Sequence, residues 1–409
     1  MSAFGRNIKI CVAALACAAL PMGLVSPDAS ATVHRQSLLL QKAIVNPTGR
    51  SDVFGDGVAV WGDRLLVGAP GFNNDTGRAY IYVKSGGVWP AQPTVTLKDP
   101  PQQAGDVFGY NEVALYQGTA VVCAFQAYVG QGACYIYVRS PGGIWPANPT
   151  HVLRDPTRPS KDGFGFSVAI WQQTIVIGTD NSHSCAAYVY VMSPAHLTCL
   201  HNPDEFGFAV AVNANTVVVG DPDITTASGG NGAAYVYMKS AAGWPGNATR
   251  VLTSPDPANS SVFGWAVAID RVAVVVSDQG YQPSGGAAFS GAVYIYNAWV
   301  NSSVPARTLF DPANARQDSF GYAVAISGAN LVVGAPFGST AGHSDTAYVF
   351  KRVNVWPLVP NASLTDPNSP PGYLGDAVAI QGNVAAIPSP NSTSSSGHTD
   401  SGTVYVYGV

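Results

Sequence analysis

Side chains suited to chemistry are sparse in this chain of 409 residues. Gly342-His343-Ser344-Asp345 and Gly397-His398-Thr399-Asp400 repeat one short pattern. A histidine beside an aspartate suits a metal site or a pH-sensitive switch. The plainer alternative is a pair of matched turns held by side chain to backbone hydrogen bonds. Asp221 and Asp223 offer two carboxylates for a cation, or two loop-capping groups. Glu112 and Glu205 are the only glutamates, so the acid pair of a glycosidase would have to be built from aspartates. There is no Gly-x-Ser-x-Gly elbow, no His-Glu-x-x-His and no phosphate loop. The chain is therefore read as non-catalytic, with no cofactor and no metal. Recognition chemistry is better provided for. Phe72, Asn74, Tyr128, Tyr281, Phe289 and Phe337 fall in variable loops, where aromatic rings stack on sugars or fill a partner's pockets.

The elements that position these residues follow from composition. Gly and Pro, 44 and 30 in number, make up 18% of the chain, against roughly 12% in average usage. Charged residues are 11%, where roughly 25% is typical. Helix surfaces are rich in Glu and Lys, so two Glu and seven Lys nearly exclude a helical protein. Hydrophobic residues at 47%, including 19 Tyr and 15 Phe, exclude disorder. A net charge of −4 without basic runs argues against a nucleic-acid partner. What remains is an all-β, turn-rich fold.

Arg6 and Lys9 precede an apolar run from Ile10 to Val25, and Ala29-Ser30-Ala31 supplies small residues for cleavage. This is the plan of a secretory signal over residues 1–31. Pro21 and the short run argue against a membrane span. Export predicts oxidised cysteines. Six Asn-x-Ser/Thr sequons, at Asn74, Asn247, Asn259, Asn301, Asn361 and Asn391, are glycosylation candidates in such a compartment.

The rest of the chain repeats. Phe-Gly recurs at Phe54, Phe108, Phe164, Phe206, Phe263 and Phe320, with Leu374-Gly375 as a seventh copy. Five residues after the Phe stands an Ala, and fourteen after it Gly68, Gly178, Gly220, Ser277, Gly334 or Pro388. The second copy runs one residue longer, to Ala114 and Cys123. Aromatic pairs such as Tyr80/Tyr82 and Tyr405/Tyr407 follow in every copy. Each copy reads as four strands, the first being FGDGVAV in copy one. Seven such units predict a seven-bladed β-propeller of four-stranded antiparallel blades over residues 32–409. A linear solenoid is the alternative. Copy seven ends after its third strand, and a spare strand near Ser37–Leu40 precedes copy one. That N-terminal strand is expected to complete the last blade and close the ring. Hairpin geometry pairs Cys123 with Cys134 and Cys185 with Cys199 as disulfides. Asp52, Asp106, Asp162, Asp204 and Asp318, two before the Phe, are read as structural turn residues.

Phe54-Gly55 with Gly68-Ala69-Pro70, and Phe320-Gly321 with Gly334-Ala335-Pro336, resemble the FG-GAP repeats of integrin α-subunit propellers. That resemblance implies calcium loops, written Asp-x-Asp-x-Asp-Gly, between strands one and two. Here those connections are short turns with at most one acid, too small for six to eight oxygen ligands. The expectation is a secreted propeller that binds an extracellular protein or glycan by its long loops. A structural role in an extracellular coat or matrix is the alternative.

Overall fold

A computed structural model describes residues 38–111, 113–156, 163–179, 185–193, 195–202, 207–225, 231–256, 261–283, 289–313, 317–338, 344–366, 372–393 and 397–409. The signal-like segment 1–31, Glu112, Asp162, Asp204, Glu205, Phe206, Asn259 and His343 lie outside these residues.

Seven four-stranded antiparallel sheets follow one another along the chain and form the ring of a seven-bladed β-propeller. Blade one comprises Val58–Trp61, Arg64–Ala69, Arg78–Val83 and Val95–Lys98, from the axis outward. Blade two runs from Val113–Tyr116 to His151–Leu153, and blade three from Ser167–Trp171 to Ala195–Leu200. Blade four runs from Ala209–Asn213 to Arg250–Thr253, blade five from Val267–Asp270 to Arg307–Phe310, and blade six from Val324–Ser327 to Ala362–Thr365. Blade seven takes Ala379–Gln381, Val384–Ser389 and Thr403–Gly408, and its outer strand is Leu39–Val45 from the other end of the sequence. Leu39 pairs with Gly408 and Val45 with Thr403, with a bulge between Leu40 and Lys42. The ring is closed by this pairing.

The core is seven clusters, each between two neighbouring blades. Between blades seven and one, Phe54, Tyr80, Tyr82 and Trp89 meet Ala386, Val404 and Val406. Such faces alternate along each strand, because successive side chains point to opposite sides of a sheet. Tyr80 and Tyr82 therefore face one neighbour, while Leu66, Ala79, Ile81 and Leu97 face the other.

The first strand begins later than its sequence pattern suggests. Phe54-Gly55 lies in a turn, and the strand starts at Val58. The reason is a close approach. Gly55 has φ +102°, and its N–H donates to the Gly68 carbonyl at 2.8 Å. The same bond runs from Gly165 to Gly178, Gly321 to Gly334 and Gly375 to Pro388. It fixes the spacing between the two landmarks. The glycine that ends strand two touches the following blade: a Cβ on Gly68 would lie 2.0 Å from the Gly109 carbonyl oxygen. In blade two the cysteine pair takes that place. Cys123 and Cys134 sit opposite each other at disulfide distance, with Cα atoms 4.0 Å apart. Cys185 and Cys199 do so at 5.6 Å.

Strands one and two of every blade are joined by two residues, the first of them with left-handed φ (Gly62, Gln117, Gln172, Ala214, Arg271, Gly328, Gly382). On this face Trp61, Tyr116 and Trp171 stack across blades one to three, with centroids 4.1 and 5.2 Å apart in sequence. Blades five to seven use hydrogen bonds instead. Asp270 accepts from the Gly328 N–H, Ser327 from Gly382 and Gln381 from Gly62.

Candidate functional site

The opposite face carries the loops from strand two to three and from strand four to the next blade. Its geometry starts at the Phe-Gly turn. Phe54, Phe108, Phe164, Phe263 and Phe320 are each buried against an aromatic residue of their own third strand, as in Phe54 on Tyr80 at 5.8 Å and Phe263 on Tyr294 at 5.6 Å. The Gly presses on the preceding blade. The next residue is then directed to the axis. That third position reads Asp56, Tyr110, Phe166, Phe208, Trp265, Tyr322 and Asp376 around the ring.

Five consecutive blades thus present an aromatic ring, and the rings touch. The chain runs Tyr110–Phe125 (5.1 Å), Phe125–Phe166 (5.5 Å), Phe166–Phe208 (5.3 Å), Phe208–Trp265 (4.6 Å) and Trp265–Tyr322 (5.5 Å). It continues through Tyr322–Phe337 (5.2 Å) and Phe337–Tyr373 (5.4 Å). All eight rings are half-buried. Their tilted and edge-on contacts are the favoured aromatic arrangements. Blades seven and one break the arc with Asp376 and Asp56, both buried. Phe166, Phe208, Trp265 and Tyr322 line an axial cavity of about 180 Å³, with Asp376 as its one charged wall and Ala and Val of the first strands as its floor. Chemically, this is a cup walled by aromatic rings, with one carboxylate, the Asn111 amide and an accessible surface that is more polar than apolar.

Of the residues expected from sequence, only Phe337 belongs to this arc. Phe72 lies under the Arg78 guanidinium at 3.6 Å, and Tyr128 under Arg154 at 3.5 Å. Both sit in loops that coil through left-handed backbone, at Asn73, Asn74, Tyr128 and Val129. Asn74 is exposed there. Tyr281 is buried against Phe310 at 5.3 Å. Phe289 is half out in solvent, at 39% exposure. Asp345 is buried, and its carboxylate accepts the Tyr373 N–H at 2.8 Å. His398 and Asp400 are exposed. Among the described residues, no group of three His, Cys, Asp or Glu is placed to hold a metal. No helix among them is long and apolar enough to cross a membrane.

Asp99, Asp155 and Asp366, which follow the fourth strands of blades one, two and six, lie at the joints between blades. The Tyr188 hydroxyl donates to Asp155 at 2.5 Å and Tyr405 to Asp366 at 2.7 Å. In blade five the joint carries Ser254 and Ser261 instead, and Asp278 accepts from the Ser261 hydroxyl and the Val262 N–H. Burial pushes the Asp278 carboxyl up to about 6 despite these donors. Asp99 is fully buried. Burial first, and then the adjacent Asp106, push its carboxyl up to about 7.

The aromatic arc was not found by sequence reasoning, although its signal is present. It is the residue after each Phe-Gly, a column that only the repeat alignment exposes.

A family model described as FG-GAP repeat matches residues 201–237, 247–296 and 308–350, from the segment that enters blade four to the third strand of blade six. Among curated proteins none matches. Among solved structures, the computationally designed Ika8 protein is similar over 87% of this chain and 83% of its own, at 15% identity and a TM-score of 0.45.

Proposed function

From a seven-bladed ring built of FG-GAP repeats, we propose a secreted, non-catalytic recognition propeller that binds an extracellular protein or glycan on its long-loop face. The observation that carries this reading is the arc of touching aromatic rings that blades two to six present at the axis. Half-buried aromatic rings on a rigid scaffold supply contact area at little entropic cost. Two cysteine pairs at disulfide distance fit an oxidising compartment, as does the signal-like N-terminus. Asn74, Asn247 and Asn301 are exposed sequons available to glycosylation. The loop aromatics Phe72, Tyr128 and Phe289 and the His398–Asp400 loop form the periphery of the same face. The test is binding of the purified chain to glycan and matrix-protein arrays. Phe208→Ala and Trp265→Ala should abolish capture while the melting temperature shows a folded ring. Capture that survives both substitutions sinks the reading.

A coat or matrix component is the second reading. Trp299 (60% exposed), Val353 (88%) and Val355 (72%) give the outer hairpins of blades five and six an apolar surface. Sedimentation showing concentration-dependent assembly without ligand would favour it.

A further inference from the structure

The face opposite the aromatic arc holds a second feature, produced by one shortened hairpin. In blades one, two, four and six the connection between strands three and four is long and carries a tryptophan. Trp89, Trp145, Trp244 and Trp356 are all buried, each plugging the seam with the preceding blade. In blade three that connection is only Ser193 and Pro194, between strands Ala187–Met192 and Ala195–Leu200. Among the described residues the seam between blades two and three has no tryptophan plug; the long hairpin of blade five leaves its own tryptophan, Trp299, 60% exposed, and there Ala298 is the buried residue.

What lies there is an open groove of about 640 Å³, within the range of small-ligand sites. Its walls include Tyr116, Arg139, His151, Gln172, Gln173 and Met192. Among the described residues no carboxylate lines it. Arg139 is held in place: its Nε donates to the Gly143 carbonyl at 2.8 Å, and Gly143 lies so close under the guanidinium that a Cβ there would be 2.7 Å from Nη2. Among the described residues the remaining guanidinium N–H groups have no acid partner, and a guanidinium fork matches carboxylate and sulfate geometry. Gln172 and Gln173 are exposed and offer both donors and acceptors. Tyr116 closes the inner end as part of the Trp61–Tyr116–Trp171 stack.

We propose that this groove is a binding site for an anionic oligosaccharide, a uronate or sulfated sugar. Arg139 takes the acidic group and the two glutamines take ring hydroxyls. The proposal is independent of the aromatic arc on the other face.

Calorimetric titration of the full chain with tetragalacturonate, a heparin-derived tetrasaccharide and neutral cellotetraose tests it. At least one anionic sugar should bind, with affinity falling as salt rises, and cellotetraose about tenfold more weakly or not at all. Whichever acid binds identifies the anion. Arg139→Gln should weaken binding about tenfold, with Arg139→Lys in between. Trp265→Ala should leave it unchanged. Melting temperatures check the fold of each variant, and His151 ring shifts on titration locate the sugar independently of any substitution. No binding of either acidic sugar, equal binding of cellotetraose, or full affinity in a folded Arg139→Gln variant overturns the proposal.

Discussion

At the residue scale, the repeat landmarks do two kinds of work. The glycines are places where no side chain fits. Gly132 has φ +79°, and a Cβ there would meet the Phe164 carbonyl oxygen at 2.0 Å. Gly132→Ala should cost about 3 kcal/mol or more in denaturant unfolding; a loss below about 1 kcal/mol would show that blade three can yield. The buried acids do the opposite of the usual carboxylate. Asp99 has its folded-state value raised to about 7 from 3.8. Its contribution to stability is complete below about pH 4 and is lost as pH rises through about 7. Asp278, raised to about 6, acts in the same direction. The urea midpoint should therefore fall between pH 5 and pH 8, and Asp99→Asn should flatten that fall. A midpoint that rises over this range would contradict the assignment. Sequence made the Phe, Gly and Asp columns readable because they recur in nearly every blade. The axial column was harder to see, since it changes from Asp to aromatic and back around the ring.

At the scale of the element, strand count and order were readable from alternation and turn residues, and strand starts were not. Phe54-Gly55 looks like strand but bends to reach its partner blade, a long-range contact that local pattern does not contain. Cysteine pairing was readable because it follows from hairpin register. The Cys123–Cys134 bridge closes a short loop of sequence separation 11. The paired substitution Cys123→Ala with Cys134→Ala should cost about 3 kcal/mol by loop-closure entropy. Unchanged stability under oxidising and reducing conditions alike would mean that the packed hairpin needs no staple. The loops were least readable. Phe72 and Tyr128 are covered by Arg78 and Arg154, and nothing in a variable loop predicts which cation will fold over which ring.

At the scale of the whole molecule, the closing strand was readable from a simple mismatch, one strand missing at the end and one spare at the start. Its Ile44 is buried in the cluster between blades seven and one. Deleting residues 32–45 should lower the melting temperature by roughly 10 °C or more; an unchanged value would mean that the ring does not depend on closure. The same pairing puts the first strand among the described residues beside the last. Synthesis of the intervening chain takes on the order of tens of seconds. Throughout that time Leu39–Val45 lacks the partner of its hydrogen-bonding edge, and Ile44, buried in the closed ring, has nothing to cover it. An unpaired strand of this kind is a template for pairing with another edge, and the closing partner of Leu39–Val45 is the strand farthest from it in the sequence.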